Sequence, residues 1–408
     1  MPLKLPITVQ ANKRCFTDAE GKPVFWLGDT AWPLFSLYTR DEAETYLARR
    51  AEQGFNVVKG VLAWPLGTMY EQAVPQPNYM GELPWLDNNP ATPNGAYFEH
   101  VEHLLTFAAD HDLNLNMLPI WGYHVNDIHL FTVETAHSYG LWLGKRFKDF
   151  QNVIWSLGGD RNPTGYEEIY RAMAYGLREG HGGTQLMTFH PSGGSSSARF
   201  FHNDDWLNFN LIQTWGDLSR VYTTVITDVL RTPIKPAVLD EGAYEAGPEY
   251  PLGPITPLLA RRQAWWSLMA GGYYTYGHND TWRVDPGWIA SLDAPGAAQM
   301  GVFKAIATSR PWWEMTPCPC LFAEGAGSGL TLNAAMRTQD CRCALIYLSS
   351  PCYALVSVGE IATLQVRATW VNPQNGDQQD VGVFKRGNHW FRTPDFWEDA
   401  VLILDAVE

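Results

Sequence analysis

The sequence predicts an α/β chain: a (β/α)8 barrel followed by a C-terminal antiparallel β-sandwich. Between about residues 24 and 280, eight short apolar runs alternate with longer amphipathic segments. Alternation of this kind implies parallel βαβ units, and eight of them in about 250 residues is the size of a (β/α)8 barrel. No Gly-x-Gly-x-x-Gly follows the first run, which weighs against a doubly wound open sheet. After about residue 312 the pattern changes to short β-type runs divided by turn residues. The expected units are residues 1–311 for the barrel and 312–408 for the sandwich.

The apolar runs, in order, are VFWLGDTAW, FNVVKGVLAW, LNLNMLPIWG, NVIWSLGGD, QLMTFHP, LNFNLIQTW, KPAVLDEG and GGYYTYGHND. DEAETYLARRAEQG follows the first run as a helix, with Asp41 at its start and Gly54 past its end as expected caps. YFEHVEHLLTFAADHD, TAHSYGLWLGKRFKDF, GYEEIYRAMAYGLREG, RVYTTVITDVLR and PLLARRQAWWSLMAGG supply further helices. The Pro-, Gly- and Asn-rich segment 66–97 is long for a βα loop and reads as a lid or wall of a site. SGGSSS at 192–197 reads as a flexible loop. In the tail, NPQNGDQQ reads as a hairpin loop, and Leu345, Ile346, Leu402 and Leu404 require a core. The tail's strands show no obvious aromatic cluster that would form a glycan platform. The short aromatic linker Pro311-Trp312-Trp313 points to docking of this unit on the barrel.

Composition excludes several classes. With 46% hydrophobic and 18% charged residues the chain is globular. A net charge of −14 argues against nucleic acid and against an anionic membrane surface. No run of about 18 apolar residues predicts a membrane helix. The start, MPLKLPITVQANKR, lacks an apolar segment of the secretory kind, so a cytoplasmic location is expected. The oligomeric state is not legible. Six cysteines, at 15, 318, 320, 341, 343 and 352, include two Cys-x-Cys pairs. Their spacing is not that of a structural zinc site, and free thiols are expected. No metal and no cofactor are expected.

Catalytic groups of such barrels sit at the C-terminal ends of the strands. Reading each run to its end gives Asp29 and Trp32, Lys59 and Trp64, Trp121 and His124, Asp160, His190, Gln213 and Trp215, Asp240 and Glu241, and Tyr276 and His278. Aromatic faces stack on the C–H faces of sugars, and polar groups bond their hydroxyls. A small oligosaccharide or glycoside is therefore the expected substrate. Asp160 ends an apolar strand at Gly158-Gly159, and a carboxyl from the seventh strand can face it across a pocket. Two carboxyls flanking one bond is what glycoside hydrolysis requires. Asp160 could equally cap the following helix, and of the adjacent Asp240 and Glu241 at most one need be catalytic. A non-catalytic carbohydrate-binding barrel is the alternative. A metal-dependent hydrolase would need His124, His190 and His278 to converge on one ion.

Several stretches resemble the apiosidase-like family of glycoside hydrolases: FWLGDTAWPLF, YLARRAEQGFNVV, IWSLGGDRNP, FHP with its serine-rich loop and DWLNFNLIQ, and YYTYGHNDTW. Glu241-Gly242-Ala243-Tyr244-Glu245 is similar to the family's seventh-strand E-x-x-Y-E motif, and FRTPDFWEDAVLILD to the end of its small β-domain, which carries a collagen-binding label. The resemblance implies a (β/α)8 barrel with an acid/base Asp after strand 4 and a nucleophilic Glu after strand 7. These map onto Asp160 and Glu241, with Tyr244 added to the substrate-binding set. It also implies exo-action on a short side-chain sugar of a plant polysaccharide. Asp240 and Gly242 stand where the family usually has Gly and Pro, and Thr214-Trp215-Gly216 where it often has a small residue and a His. The expected mechanism is retention, with charge and burial raising the pKa of Asp160 relative to Glu241. The expected role of the tail is structural or gating.

Overall fold

The computed structural model describes residues 3–64, 75 and 77–407. Eight parallel strands build the barrel: β1 (Leu27–Thr30), β2 (Val57–Val61), β3 (Asn114–Leu118), β4 (Val153–Gly158), β5 (Leu186–His190), β6 (Asn210–Gln213), β7 (Ala237–Glu241) and β8 (Tyr273–Tyr276). Their order is β5-β4-β3-β2-β1-β8-β7-β6. The ring closes between β5 and β6 through a side chain. Asn208 donates its backbone N–H to the Met187 carbonyl (2.8 Å) and accepts the Met187 N–H on Oδ1 (2.7 Å). The Thr188 hydroxyl adds a bond to the Phe209 carbonyl at 2.7 Å.

Every strand residue is buried, because helices cover the sheet outside and side chains fill it inside. Besides the short helices Tyr123–Asn126 and Asn279–Arg283, the helices among the described residues are α1 (Arg40–Glu52), α2 (Gly95–Asp110), α3 (Val133–Phe147), α4 (Glu167–His181), α5 (Ala198–Phe201), α6 (Val221–Val229), α7 (Pro257–Met269) and α8 (Pro295–Thr308). The start of α1 departs from expectation by two residues. Thr39, not Asp41, is its N-cap, in a capping box with Glu42. Such a cap contributes about 1 kcal/mol. The long segment after β2 is partly outside the described residues, at 65–74 and 76. Its later part packs on the barrel through Trp85, which lies edge-on to His124, Phe131 and Tyr139. The serine-rich segment is not the open loop expected. Ser195–Ser196 pairs antiparallel with Gln213 and Ile212 of β6, and Ser195, Ser196 and Ser197 are all buried.

The tail forms two antiparallel sheets. Its strands are β9 (Met315–Pro317), β10 (Phe322–Glu324), β11 (Ala334–Thr338), β12 (Cys343–Leu348), β13 (Tyr353–Ser357), β14 (Gln365–Val371), β15 (Gln378–Lys385), β16 (Asn388–Arg392) and β17 (Ala400–Val407). The sheet orders are β9-β11-β12-β17-β14-β15 and β10-β13-β16. Strand alternation divides β12 between two cores. Ala344, Ile346 and Leu348 face the small sheet, whereas Cys343, Leu345 and Tyr347 join the barrel core. Tyr347 stacks on Trp265 of α7 with centroids 5.4 Å apart. Arg261 of α7 grips Asp399 through two bonds of 2.6 and 3.0 Å, with both side chains fully buried.

Two readings of the tail need correction. Cys318 and Cys320 are paired as a disulfide rather than free. A 3-10 turn at Pro319–Leu321 follows Cys318 and brings their Cα atoms to 5.3 Å, inside the range a disulfide bridges. The sheet β10-β13-β16 does expose aromatics on its outer face. Tyr353 and Trp390 lie diagonal to one another across the β13–β16 ladder, at 60% and 57% exposure. The alternation that buries Ala354, Val356 and Phe391 turns them outward.

Candidate active site

Strand β4 ends in three successive residues with positive φ: Gly158 (90°), Gly159 (118°) and Asp160 (50°). A Cβ at Gly158 would collide with the His190 carbonyl, and one at Gly159 with the Trp121 ring. The turn therefore needs glycine at both positions, and it ends on Asp, one of the few side chains that tolerates the left-handed region. The result aims the half-buried Asp160 carboxylate over the barrel mouth. Gln213 Nε2 donates to its Oδ1 at 2.9 Å.

Opposite it, β7 delivers two acids where a regular strand would deliver one. Leu239 pairs with Ile212 and Glu241 with Gln213, so Asp240 is the extra residue of a bulge. Asp240 turns inward below the mouth and Glu241 stays at it. His190, fully buried at the end of β5, connects all three carboxylates. Its Nδ1 lies 2.8 Å from Asp240 Oδ2, and its Nε2 lies 3.4 Å from Asp160 Oδ1 and 3.3 Å from Glu241 Oε2. Lys59, also fully buried, donates to Asp240 Oδ2 at 2.9 Å and to the Asp240 carbonyl at 2.8 Å. One oxygen or nitrogen from each of Asp160, His190 and Glu241 lies within 4.8 Å of the other two.

The electrostatics follow from this crowding. Burial and the neighbouring Asp160 charge raise the Glu241 pKa, opposed by His190 and Lys59. Burial works against a charge on Asp240, but Lys59 and His190 hold its pKa below the ordinary value. Burial and Lys59 likewise oppose a charge on His190, yet the three carboxylates around it, Asp160, Asp240 and Glu241, lift its pKa to about 10. The burial expected to act on Asp160 thus falls on Glu241, because Glu241 sits at the strand end while Asp160 stands on the turn above it. The three ligand-type atoms are spaced to hold a metal ion. Ligation there would require His190 Nε2 to give up its proton.

Aromatic residues wall the mouth. Trp32 lies 4.9 Å from Trp121, parallel to Trp64 at 6.4 Å, and edge-on to His190 at 5.2 Å. Its Nε1 donates to the Tyr244 hydroxyl at 3.0 Å, and its ring covers the Lys59 ammonium at 4.1 Å. Trp215, at positive φ, is 40% exposed on the rim and packs against Tyr250. Sequence reading gave no sign of Tyr250.

Three expected substrate contacts are placed elsewhere. Asp29 faces α1, where it pairs with Arg50 and accepts the Tyr46 hydroxyl. Its neighbour Gly28 faces Thr275 inside the barrel, so the pleat sends Asp29 outward. His124 is buried and accepts the Trp121 N–H at 3.2 Å, and burial lowers its pKa to about 4. His278 caps the short helix Asn279–Arg283 by accepting the Asp280 N–H. Lys59 reaches the cluster, but as the partner of Asp240 beneath it. The three histidines named as a possible metal set have separate partners.

Residues 10–314 match the family model of the apiosidase-like catalytic domain. The chain belongs to the apiosidase-like family. This glycosidase also matches, over residues 319–405, the model described as "Putative collagen-binding domain of a collagenase". It is similar to a crystal structure of a glycoside hydrolase family 5 protein from Bacteroides vulgatus ATCC 8482. That chain is 26% identical with a TM-score of 0.89, and the match covers 98% of this chain and 93% of that one. A second solved structure, named glycoside hydrolase, is 27% identical with a TM-score of 0.89, covering 98% and 96%. A GH27 β-L-arabinopyranosidase from Geobacillus stearothermophilus, in complex with arabinose, shares the fold at 14% identity and a TM-score of 0.58, covering 95% and 97%. No curated protein matches the chain.

Proposed function

We propose that this glycosidase hydrolyses with retention, removing a terminal sugar from a plant-type oligosaccharide. In this reading Asp160 is the acid/base and Glu241 the nucleophile. The observation that carries it is that one carboxylate oxygen of Asp160 and one of Glu241 lie within 4.8 Å of each other at the ends of β4 and β7, which favours the closer of the two known spacings. Retaining enzymes hold their carboxyls about 5–5.5 Å apart, whereas inverting enzymes leave about 6.5–9.5 Å for a water. The roles follow from exposure. Asp160, with 27% of its side chain exposed, can reach a leaving oxygen and later a water. Glu241, at 7%, is sheltered as an attacking group should be. Glu241 attacks the anomeric carbon while Asp160 protonates the departing oxygen. Asp160 then takes a proton from the water that cleaves the glycosyl ester. The family assignment supports a short side-chain sugar as the glycone that Glu241 attacks, and the half-buried Trp64 and rim Trp215 supply stacking faces for it.

The configuration of the first-formed sugar, read by proton NMR on a panel of aryl glycosides, tests the mechanism. Retention is expected, and an inverted product overturns it. A 2-deoxy-2-fluoro glycoside of the accepted sugar should label Glu241, as read by peptide mass spectrometry.

A further inference from the structure

The more deeply buried carboxyl of the pair is the one assigned as nucleophile, which must be ionised to attack. Burial and the Asp160 charge both favour a proton on Glu241. His190 and Lys59 oppose that preference and limit a rise whose net direction stays upward. Of the two, His190 is the one within ion-pair distance of Glu241. It is fully buried, with Asp240 on Nδ1 at 2.8 Å and the two carboxylates 3.4 and 3.3 Å from Nε2. Asp240 is itself fixed by Lys59 through two bonds and by the Thr275 hydroxyl at 3.4 Å. With Asp240 ionised, Nδ1 must donate, which leaves Nε2 free to carry a second proton toward the gap.

We propose that His190, oriented by Asp240 and Lys59, directs its Nε2–H between the two carboxylates and keeps Glu241 ionised, so that the proton they share resides on Asp160. This rests on the assignment of Glu241 as nucleophile and names the group that sets its charge. His190 is a positioning residue here, since it acts through Glu241. The charged and titratable groups facing the pair are Lys59 from β2, Asp160 after β4, Asp240 and Glu241 on β7, and Tyr244 and Tyr250 after β7. Lys59 and His190 are the cations among them, and only His190 lies within ion-pair distance of Glu241.

The test is the pH profile of kcat/KM on the best aryl glycoside for wild type, His190→Gln and Asp240→Asn. An opposite charge at this range moves a carboxyl pKa by about 1–3 units. His190→Gln should therefore shift the acid limb upward by about that amount, with activity partly recovered at higher pH. Asp240→Asn should shift it the same way. A folded His190→Gln enzyme with an unmoved acid limb overturns the proposal. Histidine-labelled wild-type protein gives a second readout that needs no variant. The His190 ring should be doubly protonated by nitrogen NMR at pH 7 and lose its proton only near pH 10, and a neutral ring at pH 7 overturns the proposal. Fluoroglycoside labelling separates the two questions. A label away from Glu241 defeats the assigned nucleophile, whereas correct labelling with a neutral His190 defeats only this role.

Discussion

Two buried charge clusters, one under the barrel mouth and one between barrel and sandwich, are built to opposite specifications. At the interface, Arg261 uses Nε, Nη1 and Nη2 on Asp399, Gln299 and Glu398, and Asp399 receives the Tyr347 hydroxyl as well. At the mouth, three carboxylates share Lys59 and His190, and Glu241 Oε2, Gln213 Oε1 and Thr214 Oγ1 are buried without a hydrogen bond inside the protein. A buried polar atom left unbonded costs about 1–3 kcal/mol. The first cluster is closed on itself and holds two units together. The second keeps acceptors and excess negative charge facing the place where a sugar hydroxyl and a developing oxocarbenium ion would lie. Similar burial therefore serves cohesion in one place and reactivity in the other.

The sharpest way to break this comparison is to exchange the effects. Glu241→Gln should lower kcat roughly a thousandfold or more while leaving the thermal midpoint unchanged or raised. Steady-state kinetics and calorimetry on the same preparation check both. Asp399→Asn should do the reverse. Breaking one partner of a buried pair costs about 3–5 kcal/mol, so denaturant unfolding should shift strongly while kcat per folded molecule holds. Arg261→Met combined with Asp399→Leu should recover much of that loss, and failure to recover would show that the pair does more than fill the interface.

A smaller effect separates the clusters by pH. The folded His190 pKa of about 10 lies above the ordinary 6.5. Its contribution to stability is thus complete below about pH 6.5 and is lost as pH rises through about 10. Chemical unfolding between those values should show a decline that is flatter in His190→Gln. The smallest effect belongs to the rim. Trp215→Ala removes one stacking face, worth about 0.5–1.5 kcal/mol. KM should rise roughly two- to tenfold, with kcat and stability little changed.

The barrel was legible because its signal is repetitive: each apolar run became a strand, with Trp26, Trp155 and Trp266 buried among them. Asp160 and Glu241 were legible as strand ends. What failed was facing. Whether a polar residue near a strand end points into the barrel depends on the pleat, and Asp29 is one position out of phase with Gly28. The bulge that sends Asp240 beneath the mouth and keeps Glu241 at it arises from pairing with β6, which no local pattern on β7 reports. His124 and His278 were misplaced for a related reason, since a histidine that satisfies a nearby backbone N–H reads like one that awaits a ligand. In the tail, one register decides both which residues reach the barrel and which aromatics, Tyr353 and Trp390, are left outside.

The corner at Gly158-Gly159-Asp160 has a consequence for how this enzyme can diversify. Both glycines are hemmed in by neighbours that are themselves part of the site, the His190 backbone and the Trp121 ring. A substitution there displaces the acid and its surroundings together, so selection has almost no intermediate steps to explore. Trp215 stands on the rim with its ring partly in solvent. Descendants of this sequence that take new sugars should therefore have varied the rim and inherited the corner unchanged, and laboratory libraries aimed at new substrates should be spent on Trp64, Trp215 and Tyr250.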